Sequence, residues 1–341
     1  MGSGNNSIDR EGEISNGDSP IFIVGSARSG TSLLSRIINA HPGIAVPFES
    51  QLYNTFYPWL KYYGDLKKEE NRSRLVRDIL KTASLKCWTP VPDYQDTLNS
   101  IVRYDFHGVI DALISTWAKT HGKERWGEKS PWHIIYWKEI LEGFPNAKFV
   151  HIVRDGRDAS ISWKKSRMGP KHYYHLAKRW VRYINAVDEL RHHLPEDQYF
   201  ELRYEDLLTD PEIIVRNLCI FLKEEYSDCM LSFYNDKTDY PTDKQNLTNL
   251  AMPLIKNNTE KWRNLLSEKE KRIMEAVAGQ KLQLYGYPLV CNSPKLTPLE
   301  KILFKYIEHP PRRLLSMIKN HQGHKEAFGL MIIYARLRLG L

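Results

Sequence analysis

The sequence predicts an α/β protein, a P-loop-like three-layer sandwich whose central, mostly parallel sheet is flanked by helices. Two stretches carry the prediction. In the first, the apolar run Ile21–Val24 leads through Gly25–Gly30 into Leu33–Ala40, where apolar residues recur at helical spacing. In the second, Lys148–Val153 ends in the charged loop Arg154–Asp158, and a helix is expected from Ala159. Short apolar strands alternating with helices build a parallel sheet.

The remaining elements follow the chain. Ile44–Val46 is a short second strand that carries Pro47–Ser50 to its C-terminal end. Residues 51–125 are rich in aromatics and lack strand alternation, which predicts a mostly helical lid or acceptor-binding insertion. There, Tyr53, Phe56, Tyr57, Trp59, Tyr62 and Tyr63 suit either stacking on a flat acceptor or burial in a core. Trp126–Pro131 reads as a polar turn before a helix over Trp132–Glu142. A stripe of Trp180, Ile184, Val187 and Leu190 marks a helix over Tyr173–Leu194, and Tyr199–Tyr204 is a further strand. Asp210-Pro211-Glu212 opens a helix, with proline at its first position and an acidic first turn. A polar loop over 235–260 precedes Ser267, which with Glu270 forms a capping box for a helix ending near Leu284.

With 341 residues and 42% hydrophobic content, the chain has ample material for a core. Forty-nine Lys and Arg against 41 Asp and Glu leave a formal charge of +8. That excess favours anionic ligands, acidic substrates, nucleic acid or an anionic membrane surface, without choosing among them. The four cysteines form no C-x-x-C pair, so neither a zinc site nor a disulfide framework is signalled. The polar N-terminus lacks the apolar stretch of a signal peptide, and no run of about 18 apolar residues exists to span a bilayer. A cytoplasmic location is the expectation. The expected plan is a flexible tail over 1–18, a folded domain over 19–290 and a basic helical extension over 291–341. Within that extension, 295–341 either contacts a membrane or partner surface or packs back on the domain.

Both strand–loop–helix units are suited to anions, because N–H groups at a helix start and the helix dipole attract negative charge. Gly25–Gly30 fits the G-x-x-x-x-G frame of a P-loop, but Thr31 and Ser32 follow where a nucleoside-triphosphate site needs lysine. This argues against ATP or GTP hydrolysis. Arg28 inside the loop suits a ligand whose 5′-phosphate carries one further anionic group. A tight glycine turn before a helix is the plainer reading of the same residues. His172 and His175 share a helix face without further ligand spacing, so no metal is expected.

With both loops in hand, the chain resembles the sulfotransferases that use 3′-phosphoadenosine 5′-phosphosulfate (PAPS). Gly25-Ser26-Ala27-Arg28-Ser29-Gly30-Thr31-Ser32 is similar to the family's 5′-phosphosulfate loop, and Phe149–Ser162 to its 3′-phosphate segment. Arg203–Leu207 and Lys261-Trp262-Arg263 also fit, so the resemblance spans about residues 19–290. It implies a catalytic domain that moves a sulfuryl group in line from PAPS to a hydroxyl, releasing adenosine 3′,5′-bisphosphate and needing no metal. By the same resemblance, Arg28, Ser29, Gly30, Thr31 and Ser32 hold the 5′-phosphosulfate. Arg154 and Ser162 hold the 3′-phosphate, and Tyr204 and Lys261 add nucleotide contacts. Glu49, just after the second strand, stands where the Golgi-type and bacterial branches place their general base. Arg28 and Lys129 are then expected to stabilise charge on the sulfuryl and bridging oxygens. Glu128-Lys129-Ser130-Pro131 is similar to a lysine-and-proline segment of the tyrosylprotein and glycan branches.

One departure bears on the acceptor: Ser166, with Arg167 beside it, replaces a further arginine of the tyrosylprotein branch. The implied acceptor is a carbohydrate or glycolipid hydroxyl, with a tyrosylprotein or small-molecule hydroxyl as the alternative and no nucleic-acid partner. A P-loop nucleotide kinase and a non-catalytic nucleotide binder are the competing readings. The missing lysine opposes the first, and the presence of Glu49 and Lys129 opposes the second.

Overall fold

Alternation along the first strand decides how the sheet is covered. The computed structural model describes residues 19–166, 169–235, 248–318 and 320–340. In it, β1 (Ile21–Val24) sends Phe22 and Val24 into one apolar cluster and Ile21 and Ile23 into another. A strand buried on both faces is the mark of a sheet covered by helices on both sides. β2 (Ile44–Ala45), β3 (Arg125–Glu128), β4 (Lys148–Val153) and β5 (Tyr199–Arg203) complete one five-stranded sheet in the order β2-β3-β1-β4-β5. Every pair is parallel, and Phe22 aligns with Glu128 on one side and Phe149 on the other. The expected α/β architecture is present.

The longer helices are α1 (Thr31–Asn39), α2 (Glu69–Leu80), α3 (Phe106–Thr120), α4 (Gly156–Lys165), α5 (Tyr173–Arg191), α6 (Pro211–Leu222), α7 (Glu268–Leu284), α8 (His309–Ile318) and α9 (His321–Arg338). Leu34, Ile37 and Ile38 of α1 join Val215 and Leu218 of α6 under Ile21 and Ile23. Val109 and Leu113 of α3 and Val76 of α2 lie on the opposite face with Phe22 and Phe149. A third cluster joins α4, α5 and α7 through Ala159, Trp180 and Met274. Ser267 and Glu270 form the expected capping box at the start of α7.

The structure corrects several expectations. Residues 126–128, expected in a polar turn, instead join Arg125 in β3, inserted between β2 and β1. Its Arg, Trp and Glu are buried because each finds partners. Arg125 donates to the Ser19 and Leu222 carbonyls at 3.0 and 2.7 Å and pairs with Glu224 at 2.9 Å. Trp126 Nε1 donates to Asp111 at 2.8 Å. The helix expected over 132–142 is a 3₁₀ segment, Pro131–Tyr136, followed by a short α-helix, Trp137–Gly143. α4 starts three residues earlier than expected, at Gly156, because Asp155 caps it by accepting from Arg157 N at 2.9 Å. Tyr204 opens a short helix, Tyr204–Thr209, instead of ending β5.

Residues 51–125 are mostly helical, as expected, but Tyr53, Phe56 and Tyr63 are core residues with no more than 1% exposure and offer no stacking platform. Trp59 stacks instead on Tyr334 of α9, with ring centroids 4.3 Å apart and planes at 7°. The C-terminal helices thus pack one side on the domain. The tail over 1–18, residues 236–247 of the polar loop and Arg167 lie outside the described residues.

Candidate active site

All five strands deliver a residue to the same edge of the sheet. β1 leads to Arg28 and Gly30, β2 to Glu49, β3 to Lys129, β4 to Arg154, and β5 to Tyr204. Open α/β sheets bind ligands at this carboxyl edge, in the crevice between divergent connections.

The loop after β1 is pressed against β4 and the start of the Tyr204 helix. Gly25 has φ +153°, and a Cβ there would lie 2.5 Å from the Ile152 carbonyl oxygen. Gly30 has φ +100°, and its Cβ would meet Tyr204 Cδ2 at 2.4 Å. Arg28 also adopts a positive φ, +74°, which costs a side-chain-bearing residue about 1–3 kcal/mol. Gly30 caps α1 without a side-chain hydrogen bond. The first-turn N–H groups and the positive end of the helix dipole are therefore directed at whatever occupies the loop.

A cleft of about 300 Å³ opens beside this turn, lined among others by Arg28, Glu49, Arg154, Lys165, Tyr204 and Lys261. Arg28 Nε donates to Ser162 Oγ at 2.9 Å. Arg154 Nη2 donates to the Asn258 carbonyl at 2.7 Å, and its guanidinium lies 4.2 Å from the Tyr204 ring centroid. Arg154 Nε is buried with no hydrogen-bond partner. The Asn258 amide donates to Tyr204 Oη at 2.6 Å. Burial pulls Arg28 below its ordinary pKa; nearby Glu49 opposes the shift and Arg154 adds to it. Burial and then Arg154 likewise lower Lys261. Burial raises Asp158, against the attraction of Arg154 at 3.8 Å. Four cations and two carboxylates around this volume leave a net demand for anionic charge.

Glu49 and Lys129 form a compact pair at the inner end. Lys129 Nζ, fully buried, donates to Glu49 Oε1 at 2.6 Å and to Ser32 Oγ at 3.0 Å. Gln51 Nε2 donates to Glu49 Oε2 at 2.8 Å. Below Lys129, Glu128 accepts from the hydroxyls of Ser50 and Ser130, each at 2.6 Å, and lies 2.7 Å from His133 Nδ1. Burial opposes ionisation of Glu128, but His133 and the two hydroxyls more than offset it and hold the carboxyl below its ordinary range.

The structure brings Arg28, Gly30, Thr31, Ser32, Glu49, Arg154, Ser162, Tyr204 and Lys261 to one cleft. Lys129 is placed behind it, touching Ser32 and Glu49. Ser29 is buried, its hydroxyl makes no hydrogen bond, and it is outside the cleft lining. Arg28 and Ser162, expected at opposite ends of a nucleotide, are bonded to each other. Sequence reasoning missed Asp158, Lys165, Asn258 and the apolar wall of Leu250, Met252 and Ile255. Asp158 and Lys165 carry a readable signal, since they stand four residues before and three after Ser162, which puts all three on one face of α4. Among the described residues, no cluster of three or more His, Cys, Asp or Glu could hold a metal.

Fold and cleft together define an α/β protein with a net-cationic cleft at the carboxyl edge of its sheet. The model described as "Sulfotransferase family" matches residues 20–228, and the chain belongs to that family. It is 26% identical over 286 residues to the protein-tyrosine sulfotransferase of Drosophila melanogaster, covering 80% of this chain and 52% of that one. It is 26% identical over 276 residues to the omega-hydroxy-beta-dihydromenaquinone-9 sulfotransferase of Mycobacterium tuberculosis (strain CDC 1551 / Oshkosh), covering 68% and 70%. Among solved structures, the sulfotransferase domain of the Synechococcus PCC 7002 olefin synthase superposes with a TM-score of 0.56 at 23% identity, covering 80% of this chain and 97% of that one. The chain thus spans about half the length of the Drosophila relative. It covers 30% of the length of a 28% identical protein of Aquifex aeolicus (strain VF5).

Proposed function

We propose that the chain transfers the sulfuryl group of PAPS to a hydroxyl of a carbohydrate or glycolipid acceptor, with Glu49 as general base. The observation that carries this reading is the Glu49–Lys129–Ser32 contact at the first turn of α1. It sets a carboxylate and an ammonium beside an uncapped helix start. The cleft fits the donor: Arg154 keeps a buried Nε without a partner, and Arg28, Arg154, Lys165 and Lys261 outnumber Glu49 and Asp158 around it.

When bound, PAPS supplies a sulfur–oxygen bond whose leaving group is a stable phosphate. Glu49 takes the acceptor proton as the acceptor oxygen bonds to sulfur and the bond from sulfur to the 5′-phosphate oxygen breaks. Each Glu49 oxygen accepts one hydrogen bond from Lys129 or Gln51, and a carboxylate oxygen has a further lone pair for the acceptor. Lys129, Arg28 and the first-turn N–H groups of α1 stabilise charge on the departing phosphate, a role in which preorganised donors are most effective. Arg154 and Ser162 select a 3′-phosphate over the 3′-hydroxyl of ATP. The apolar wall formed by Leu250, Met252 and Ile255 supports an acceptor with an apolar portion, which favours a glycolipid over a free sugar.

Calorimetry with adenosine 3′,5′-bisphosphate and with magnesium ATP tests the donor. Tighter binding of the bisphosphate without magnesium is expected; preference for magnesium ATP overturns the reading. Labelled PAPS offered with a glycolipid, a tyrosine peptide and a hydroxylated quinone tests the acceptor, with label expected on the glycolipid. Label on either other acceptor alone overturns the acceptor assignment and keeps the transferase.

A further inference from the structure

We propose that the C-terminal helices dock this protein on the surface of an anionic lipid bilayer. A helix starting at Pro298 runs through a π-helical turn, Leu303–Glu308, into α8, and α9 follows. One side of this pair is anchored to the domain. Phe304, Ile333 and Leu337 are buried, Tyr334 Oη donates to the Thr55 carbonyl at 2.9 Å, and Arg336 pairs with Asp78 at 2.7 Å.

The other side is bare. Leu299, Ile302, Tyr306, Ile307, Leu314 and Ile318 are each between 53% and 74% exposed. On α9, Phe328, Met331, Ile332 and Leu339 are between 48% and 73% exposed. Spacings of three and four place each set on one helix face. An apolar patch of this extent on a soluble surface marks an interaction site.

Charge identifies the occupant. Residues 295–341 hold nine Lys and Arg against three Glu, +6 of the chain's formal +8. Lys301, Lys305 and Arg313 are exposed and each precedes an apolar residue of the bare face, so they form a row along one edge of it. Arg313 also lines a cavity of about 330 Å³ with Arg179, His309 and His324, next to the same helices. An apolar face rimmed by Lys and Arg is the pattern of a helix lying in the headgroup layer. A second copy of the chain would bring two such basic faces together, which like charge opposes. Among the described residues, no helix is long and apolar enough to cross a membrane, so the contact is with the surface.

Co-sedimentation of the full chain with vesicles of phosphatidylcholine, alone and mixed with phosphatidylglycerol, tests the proposal. Binding to the mixed vesicles is expected, on the order of tenfold or more tighter than to phosphatidylcholine alone and weakened by salt. L314E/I318E should abolish it, and K301E/K305E/R313E should remove the dependence on phosphatidylglycerol. Unchanged circular dichroism and thermal midpoint verify that these variants fold. Failure of the unsubstituted chain to bind mixed vesicles, or equal binding to both compositions, overturns the proposal whatever the variants do. So does a lipid-free dimer that L314E/I318E dissociates. Vesicle binding needs neither donor nor acceptor, so its outcome is separate from that of the transfer assays.

Discussion

At the scale of single residues, the proposed chemistry rests on Glu49 and the nucleotide grip on Arg154. Glu49→Gln keeps the shape and an acceptor oxygen for Lys129, but its amide cannot take a proton, and Gln51 must reverse its own amide to pair with it. A fall in kcat of about 10²–10⁴-fold is expected in steady-state kinetics, with bisphosphate affinity little changed. Retained turnover removes Glu49 as base. Arg154→Ala deletes a charged donor that a 3′-phosphate would engage. Hydrogen bonds to charged groups contribute about 1.5–3 kcal/mol, so calorimetry should show bisphosphate binding weakened by roughly 10- to 100-fold. Arg154 already lies on Tyr204 and is held by the Asn258 carbonyl, so little side-chain freedom remains to be lost on binding.

At the scale of elements, the first loop is the most constrained feature. Gly30→Ala combines a φ of +100° with a Cβ 2.4 Å from the Tyr204 ring. A loss of about 1–3 kcal/mol of stability is expected, read as a lower thermal midpoint, together with weaker bisphosphate binding. The packing of α8 on α5 should depend on pH. His175 is pushed down to about 4 by burial and by His309 and His172 nearby. Burial lowers His172 and His309 too, with Arg312 reinforcing both and Glu308 opposing at His172. In the unfolded chain these groups titrate near 6.5, so the folded contribution is complete above about that pH. It is lost as pH falls from there toward 4. Amide exchange over 298–318, corrected for intrinsic rates, should therefore accelerate near pH 5 relative to neutral pH.

These elements also show what the sequence made legible. The apolar runs of β1 and β4, the glycine loop after β1 and the Ser267–Glu270 box are local patterns, and each emerged where expected. β3 was hidden because Arg125, Trp126, Gly127 and Glu128 carry no apolar alternation. Their burial depends on partners as distant as Leu222 and Glu224, which no window along the chain contains. The aromatic insertion misled for a related reason: whether Tyr53 faces a ligand or a core is decided by Phe106 and His133. Asn258 joined the cleft through Tyr204 and Arg154, across 54 and 104 residues of sequence.

On the scale of the whole molecule, the position of β1 has a kinetic consequence. Its neighbours are β3 and β4, so Phe22 pairs with Glu128 and Phe149. The first strand made is therefore the one that must wait, with its apolar residues unprotected until the chain returns from far downstream. Contacts of such separation carry a large loop-closure cost and slow folding. In pulse-labelled refolding, amides of Ile21–Val24 should gain protection in the same phase as those of Lys148–Val153. Protection of Ile21–Val24 in an earlier phase would contradict this. The phosphate-cradle loop, complete in the sequence by residue 32, acquires its shape only when Ile152 and Tyr204 arrive to press against it. Competence to hold an anion is thus a late event, reached together with the finished sheet.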